Sequence, residues 1–104
     1  SAQTTPDSAD LVREKTKDEA KPPRRFIVLM HNDDYTTMEF VVQTLMDVFR
    51  KNIHDAVQIM LDIHHEGVGE CGRYTAEVAE TKINEVHGRA KDAAYPLRCS
   101  MEPE

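Results

Sequence analysis

The sequence predicts an α+β domain in which three helices pack chiefly against one face of a small three-stranded antiparallel sheet. Three observations predict it. Apolar residues switch between the period of a strand and that of a helix in the order β-α-α-β-α-β. Three short strands cannot cover three helices on two faces, so the helices gather on one. A chain of 104 residues without internal repeats supports one core and no more.

The first 24 residues fall outside this pattern. They contain no aromatic residue and little apolar periodicity, which predicts a disordered extension over residues 1–24 and a core domain over residues 25–104. Lys21-Pro22-Pro23 marks the boundary, because consecutive prolines exclude helix. Arg13, Lys15, Lys17, Lys21 and Arg24 balance Asp7, Asp10, Glu14, Asp18 and Glu19. The net charge of -6 therefore resides in the core domain.

Phe26-Ile27-Val28-Leu29-Met30 is a continuous apolar run of strand formers and predicts a strand buried on both faces. His31-Asn32-Asp33-Asp34 ends it in turn chemistry. Thr36 or Thr37 then caps a helix, and Glu39, three residues after Thr36, completes a possible capping box. Met38, Val41, Val42, Leu45 and Phe49 share one face of that helix. A second helix starts near Asn52 with Ile53, Ala56, Val57, Met60, Leu61 and His64 on its apolar stripe. Gly67 and Gly69 stop it and open a strand over residues 69–74. Thr75 caps a third helix with Val78, Ala79, Ile83, Val86 and Ala90 on its buried face. Leu97, Cys99 and Met101 alternate with Arg98, Ser100 and Glu102 in a last strand wet on one side.

Composition narrows the function. A pI near 5.3 lacks the basic footprint of a general nucleic-acid binder and favours cationic partners. No apolar run approaches the roughly 20 residues that span a bilayer, so a soluble, cytoplasmic monomer without membrane contact is expected. Cys71 and Cys99 are too few for a disulfide framework and read as buried thiols.

The unusual segment is His31-Asn32-Asp33-Asp34-Tyr35, a polar cluster where a buried strand meets a helix. Its plainest reading is a turn that caps the helix. His31, Asp33, Asp34, His64 and His65 are also metal-ligand types, but they show no recognised ligand spacing. Enzyme chemistry has less to stand on, since there is no serine elbow and no phosphate-cradling loop. A further reading uses Asn32, the aspartates and His64 as acceptors converging on a protonated α-amine, whose three N–H donors want three acceptors. Met38 and Met60 would line an adaptable apolar pocket beside them, although without that cluster ordinary core packing is the preferred reading of both.

Residues 32–41, NDDYTTMEFV, resemble the NDDYTPMEFV segment of the ClpS adaptors, and residues 75–82, TAEVAETK, match another segment of that family. Met60-Leu61, His64, Gly67, Cys71-Gly72, Pro96-Leu97 and Cys99 match in order, so the resemblance runs from about residue 21 to 102. It implies an adaptor without catalytic activity, cofactor or metal. Such an adaptor binds proteins whose free N-terminal residue is Phe, Tyr, Trp or Leu and delivers them to a Clp protease. Asn32, Asp34 and His64 would contact the α-amino group, with Asp33 adding negative charge. Met30, Thr36, Met38, Val41, Met60, Ile63 and Leu97 would shape the side-chain pocket, with Met38 as a gatekeeper against β-branched residues. Glu77 and Lys82 would dock on the N-terminal domain of a ClpA- or ClpC-type unfoldase, and residues 1–24 would assist handover.

Two departures from the family pattern bear on the site. Thr37 replaces a usual proline at a position like the first of the helix. Met30 and His31 stand where small aliphatic residues are common, and the bulk or protonation of His31 would alter the pocket floor. The rival readings are an interaction module that uses only the third helix, and a metal- or carboxylate-dependent hydrolase.

Overall fold

Strand β1 (Arg25–His31) lies in the middle of the sheet, paired antiparallel with β2 (Val68–Thr75) on one side and β3 (Arg98–Pro103) on the other. These come from a computed structural model that describes residues 21–104. Residues 1–20, most of the expected extension, lie outside the described residues, and residues 21–24 are irregular and exposed. Helices α1 (Met38–Phe49) and α2 (Ile53–Glu66) connect β1 to β2, and α3 (Ala76–Asp92) connects β2 to β3. The order is the predicted β-α-α-β-α-β.

Only one face of β1 is sealed. Val28 and Met30 are fully buried, whereas Ile27, Leu29 and His31 between them are only half-buried. The expectation of a strand buried on both faces is thus corrected. The helices cover one side of the sheet, and the other carries ion pairs of Arg73 with Glu70 at 2.9 Å and with Glu104 at 3.0 Å. Ile27 and Leu29 sit opposite Arg73 and Glu70, whose aliphatic stems can cover them. The continuous apolar run therefore reflects a central strand half-shielded by its neighbours.

The register of β1 with β2 shifts between Val28 and Leu29, where Cys71 is the extra residue of a bulge. Cys71 and Cys99 are both buried free thiols. Hydrogen bonding to Cys99, followed by burial, pushes the Cys71 thiol far above its ordinary range, which makes it a packing residue.

The helix boundaries follow from local chemistry. Thr37, in extended conformation, caps α1 by accepting from the Phe40 N–H at 3.1 Å. The capping box expected from Thr36 does not form, because Thr36 is engaged by Asp33. Asn52 caps α2 through the Asp55 N–H at 2.8 Å, and Gly67 ends it at a φ of 88°, a left-handed conformation suited to glycine. Thr75 caps α3, and the Cys99 N–H donates to His87 Nε2 at 3.0 Å, pinning the start of β3 to that helix.

Two stripe assignments are corrected. On α2 the wholly buried residues are Ala56 and Ile63, while Ile53 is 56% exposed and His64 also faces solvent. On α3 Ala79, Val86 and Ala90 are buried, but Val78 is 43% exposed. Both helices rest on the sheet by a stripe narrower than the sequence pattern. Among the described residues no helix is long and apolar enough to cross a membrane.

Candidate functional site

The end of β1 is tied to the end of α2. The Asn32 N–H donates to the Gly67 carbonyl at 2.9 Å, just beyond the last turn of α2 that carries His64. This bond brings the polar segment after β1 beside His64.

The loop from Asn32 to Thr37 is organised by Asp33. Its Oδ1 accepts from the Tyr35 N–H at 2.8 Å and the Thr36 N–H at 2.7 Å, and its Oδ2 accepts from Thr36 Oγ1 at 2.7 Å. Burial alone would raise the pKa of this carboxyl. The hydrogen bonds from Thr36 and Tyr35 together outweigh it and hold the group below the ordinary aspartate range. Asp33 is therefore an ionised carboxylate with both oxygens engaged by its own loop. Asn32 and Asp34, on either side of it, are exposed, and their side chains bond to no other described residue.

Together these elements enclose a pocket of about 270 Å³ lined by Asn32, Asp33, Asp34, Thr36, Met38, Val41, Met60, Ile63 and His64. One wall is apolar: Met38 and Val41 from α1, one turn apart, face Met60 and Ile63 from α2. The rim is polar. Asn32, Asp34 and His64 belong to it, and each has a side-chain atom able to accept a hydrogen bond. Such a cavity suits a ligand with a cationic, multi-donor head and a bulky apolar body.

Gly69 is where β2 comes nearest to α2. A Cβ there would lie 2.7 Å from Ile63 Cγ1 and 3.1 Å from the Ile59 carbonyl oxygen. The sequence marked Gly67 and Gly69 only as the stop of a helix and the opening of a strand. Their further roles, as an acceptor for Asn32 and as space for α2, depend on contacts between distant segments.

Not every residue that the sequence nominated reaches the pocket. Met30 and Leu97 do not line it; Met30 is fully buried and Leu97 is nearly so, both within the main core. Strand alternation turns His31 away from the helices, and its Nε2 lies 2.6 Å from Ser100 Oγ. His31 therefore does not shape the pocket floor. Of the metal-ligand types, Asp33, Asp34 and His64 line the pocket while His31 and His65 do not, and the described residues hold no cluster of three or more His, Cys, Asp or Glu suited to an ion.

Glu77 and Lys82 lie together on α3, beside Val78, Thr81 and Glu85, along a shallow depression. Lys82 is only partly available there. Its Nζ donates to the Val48 carbonyl at 2.9 Å, near the end of α1, and lies 5.3 Å from the centre of the Tyr74 ring.

Fold and pocket define a small α+β domain that presents an acceptor-rimmed apolar cavity on its surface. The chain belongs to the ClpS family: residues 21–100 match the family described as "ATP-dependent Clp protease adaptor protein ClpS". The ATP-dependent Clp protease adapter protein ClpS of Oleidesulfovibrio alaskensis is 57% identical over 99 residues, covering 95% of this chain and 92% of that protein. The protein of the same name from Nitratidesulfovibrio vulgaris is 62% identical over 86 residues, covering 83% and 86% respectively. Among solved structures, Agrobacterium tumefaciens ClpS2 bound to L-phenylalaninamide is similar with a TM-score of 0.77 at 35% identity, covering 80% of this chain and all of that one.

Proposed function

We propose that this protein is an adaptor that binds the N-terminal residue of substrate proteins, when that residue is large, apolar and has a free α-amine, and delivers them to a Clp-type protease. The observation that carries this reading is one pocket in which Asn32, Asp34 and His64 surround an apolar wall of Met38, Val41, Met60 and Ile63. A protonated α-amine donates three hydrogen bonds, and a carboxylate among its acceptors favours the charged form. The adjoining side chain supplies apolar area to bury.

The ligand of the Agrobacterium relative supports this reading. L-phenylalaninamide has the free amine, the aromatic side chain and the amide of an N-terminal phenylalanine, with the chain cut after its first residue. In our reading Asn32, Asp34 and His64 receive the amine. Asp33 acts through the loop, because its oxygens are already engaged. Met38, half exposed at the rim, clashes with a ligand branched at Cβ, so Phe, Tyr, Trp and Leu are accepted and Ile and Val disfavoured.

Delivery uses the α3 face. Glu77, with Lys82 beside it, meets the N-terminal domain of a ClpA- or ClpC-type unfoldase, and residues 1–24 assist handover. The protein works in the cytoplasm as a monomer, and the adaptor itself performs no bond-breaking step.

Fluorescence anisotropy of short peptides beginning with Phe, Leu, Ile or Met, each with a free and an acetylated amine, tests the recognition step. Binding of free Phe and Leu peptides, weak binding of Ile and none after acetylation is the expected result. Equal binding of free and acetylated peptides would rule out amine recognition.

A further inference from the structure

Beside the first pocket lies a second depression, of about 350 Å³, between the outer faces of α1 and α2. Val42, Met46 and Ile53 line it together with Met38 and Met60, which also line the first. The two cavities thus share a wall made of two methionine side chains. Ile53 and Met38 are 56% and 50% exposed, so apolar surface of the groove is open to solvent, beside Glu39 and Gln43 of the same lining.

We propose that this groove is a subsite for an apolar side chain at the third position of the bound protein, with the second position, which an extended chain turns to the other face, as its control. The inference rests on the reading that the N-terminal residue fills the first pocket. Three observations select this occupant.

The first is continuity. A chain whose first side chain lies against Met38 and Met60 must leave across one of the walls around it, and this wall opens into another apolar cavity. The second is reach. An extended chain advances about 3.3 Å per residue and returns every second side chain to the same face, so the third side chain lands about 7 Å from the first. The third is chemistry. Three of the five apolar lining residues are methionines, whose unbranched side chains adapt to different shapes, as a site reading variable sequences requires. Glu39 at the groove edge adds repulsion against an acidic residue there.

The test compares free-amine peptides that differ only at these positions: Phe-Ser-Ser, Phe-Leu-Ser, Phe-Ser-Leu and Phe-Asp-Ser, each followed by the same polar tail. Affinities are measured on the full chain and on Ile53→Ser. Ile53 is exposed, lies outside the first pocket, and can be replaced without opening the core. Phe-Ser-Leu is expected to bind roughly threefold to tenfold tighter than Phe-Ser-Ser, and a gain for Phe-Leu-Ser alone would overturn the placement. Ile53→Ser should remove that gain and leave Phe-Ser-Ser binding unchanged.

If Phe-Ser-Ser binds and neither leucine adds affinity, the subsite is wrong while recognition of the first residue stands. If no free-amine peptide binds, the first reading fails and takes this one with it. A leucine gain that survives Ile53→Ser places the contact elsewhere and overturns the proposal. So does a dimer that Ile53→Ser dissociates without any peptide preference, since the groove would then belong to a second copy of the chain.

Discussion

Asp33 and Thr36 hold each other by two hydrogen bonds of 2.7 Å, one to the backbone N–H and one to the hydroxyl of Thr36. The neighbouring Asp34 has no such commitment to a described residue. Two adjacent aspartates of identical chemistry thus stand in different situations, one closed into the loop and one open at the rim.

This difference predicts unequal responses to the same substitution. Asp33→Asn keeps an oxygen for the Tyr35 and Thr36 N–H groups and should reduce peptide affinity only slightly, whereas Asp33→Ala frees the loop and weakens binding clearly. Asp34→Asn removes the charge facing the amine and should cost roughly tenfold to a hundredfold in affinity. Titration of a Phe-initial peptide against all three variants checks this. Equal losses for the two asparagine variants would return Asp33 to the rim.

Gly69→Ala should act on the pocket from outside it. The added methyl meets Ile63 and the α2 backbone, so either α2 shifts or the strand bends, at a cost of about 1–3 kcal/mol. Because α2 carries Met60, Ile63 and His64, affinity should fall along with stability. Denaturant unfolding combined with peptide titration separates this from a change that only destabilises.

His31 sets a pH response. Burial first, and the positive charge of Arg98 second, lower its pKa from the ordinary 6.5, so folding favours the neutral ring. The stability it contributes is complete above about pH 6.5 and is lost as the pH falls through the lower folded value. His31→Gln keeps a polar partner for Ser100 without a titrating ring. Its unfolding midpoint should fall less steeply than the parent's on acidification below 6.5.

Lys82→Ala and Glu77→Ala should separate the two uses of α3. The first loses the bond to the Val48 carbonyl and should lower stability by on the order of 1 kcal/mol. Glu77 is exposed, and its carboxylate accepts no hydrogen bond and forms no ion pair among the described residues, so Glu77→Ala should change stability little beyond the small loss of an acid in the first helical turn. Binding to an isolated unfoldase N-terminal domain, measured beside thermal unfolding, distinguishes a contact residue from a structural one.

The element order and nearly all boundaries were legible because they depend on local chemistry: period, caps and turn residues lie within a few positions of one another. The pocket was legible through its composition, since Asn32, Asp34 and His64 are out of place among strand and helix formers. What local reasoning could not resolve is direction. Met30 and His31 are neighbours, and only the sheet decides that Met30 enters the core while His31 reaches Ser100 on the opposite face. The family resemblance places Leu97 in the pocket, yet it is packed in the core. The outer groove escaped notice for the same reason, because Ile53 was assigned to the buried stripe and the narrower contact of α2 leaves it outside.

The start of α1 is a small case of chemical synonymy. Thr37 stands where the family pattern has proline, and it occupies the cap with a φ of -72°, an angle that a pyrrolidine ring adopts without distortion. Threonine secures the helix origin by a hydrogen bond to the Phe40 N–H, and proline would secure it by restricting the unfolded chain. The two residues share no functional group, yet each fixes the point from which Met38 and Val41 are aimed. Either residue can therefore stand at this position while the aim of the pocket stays put.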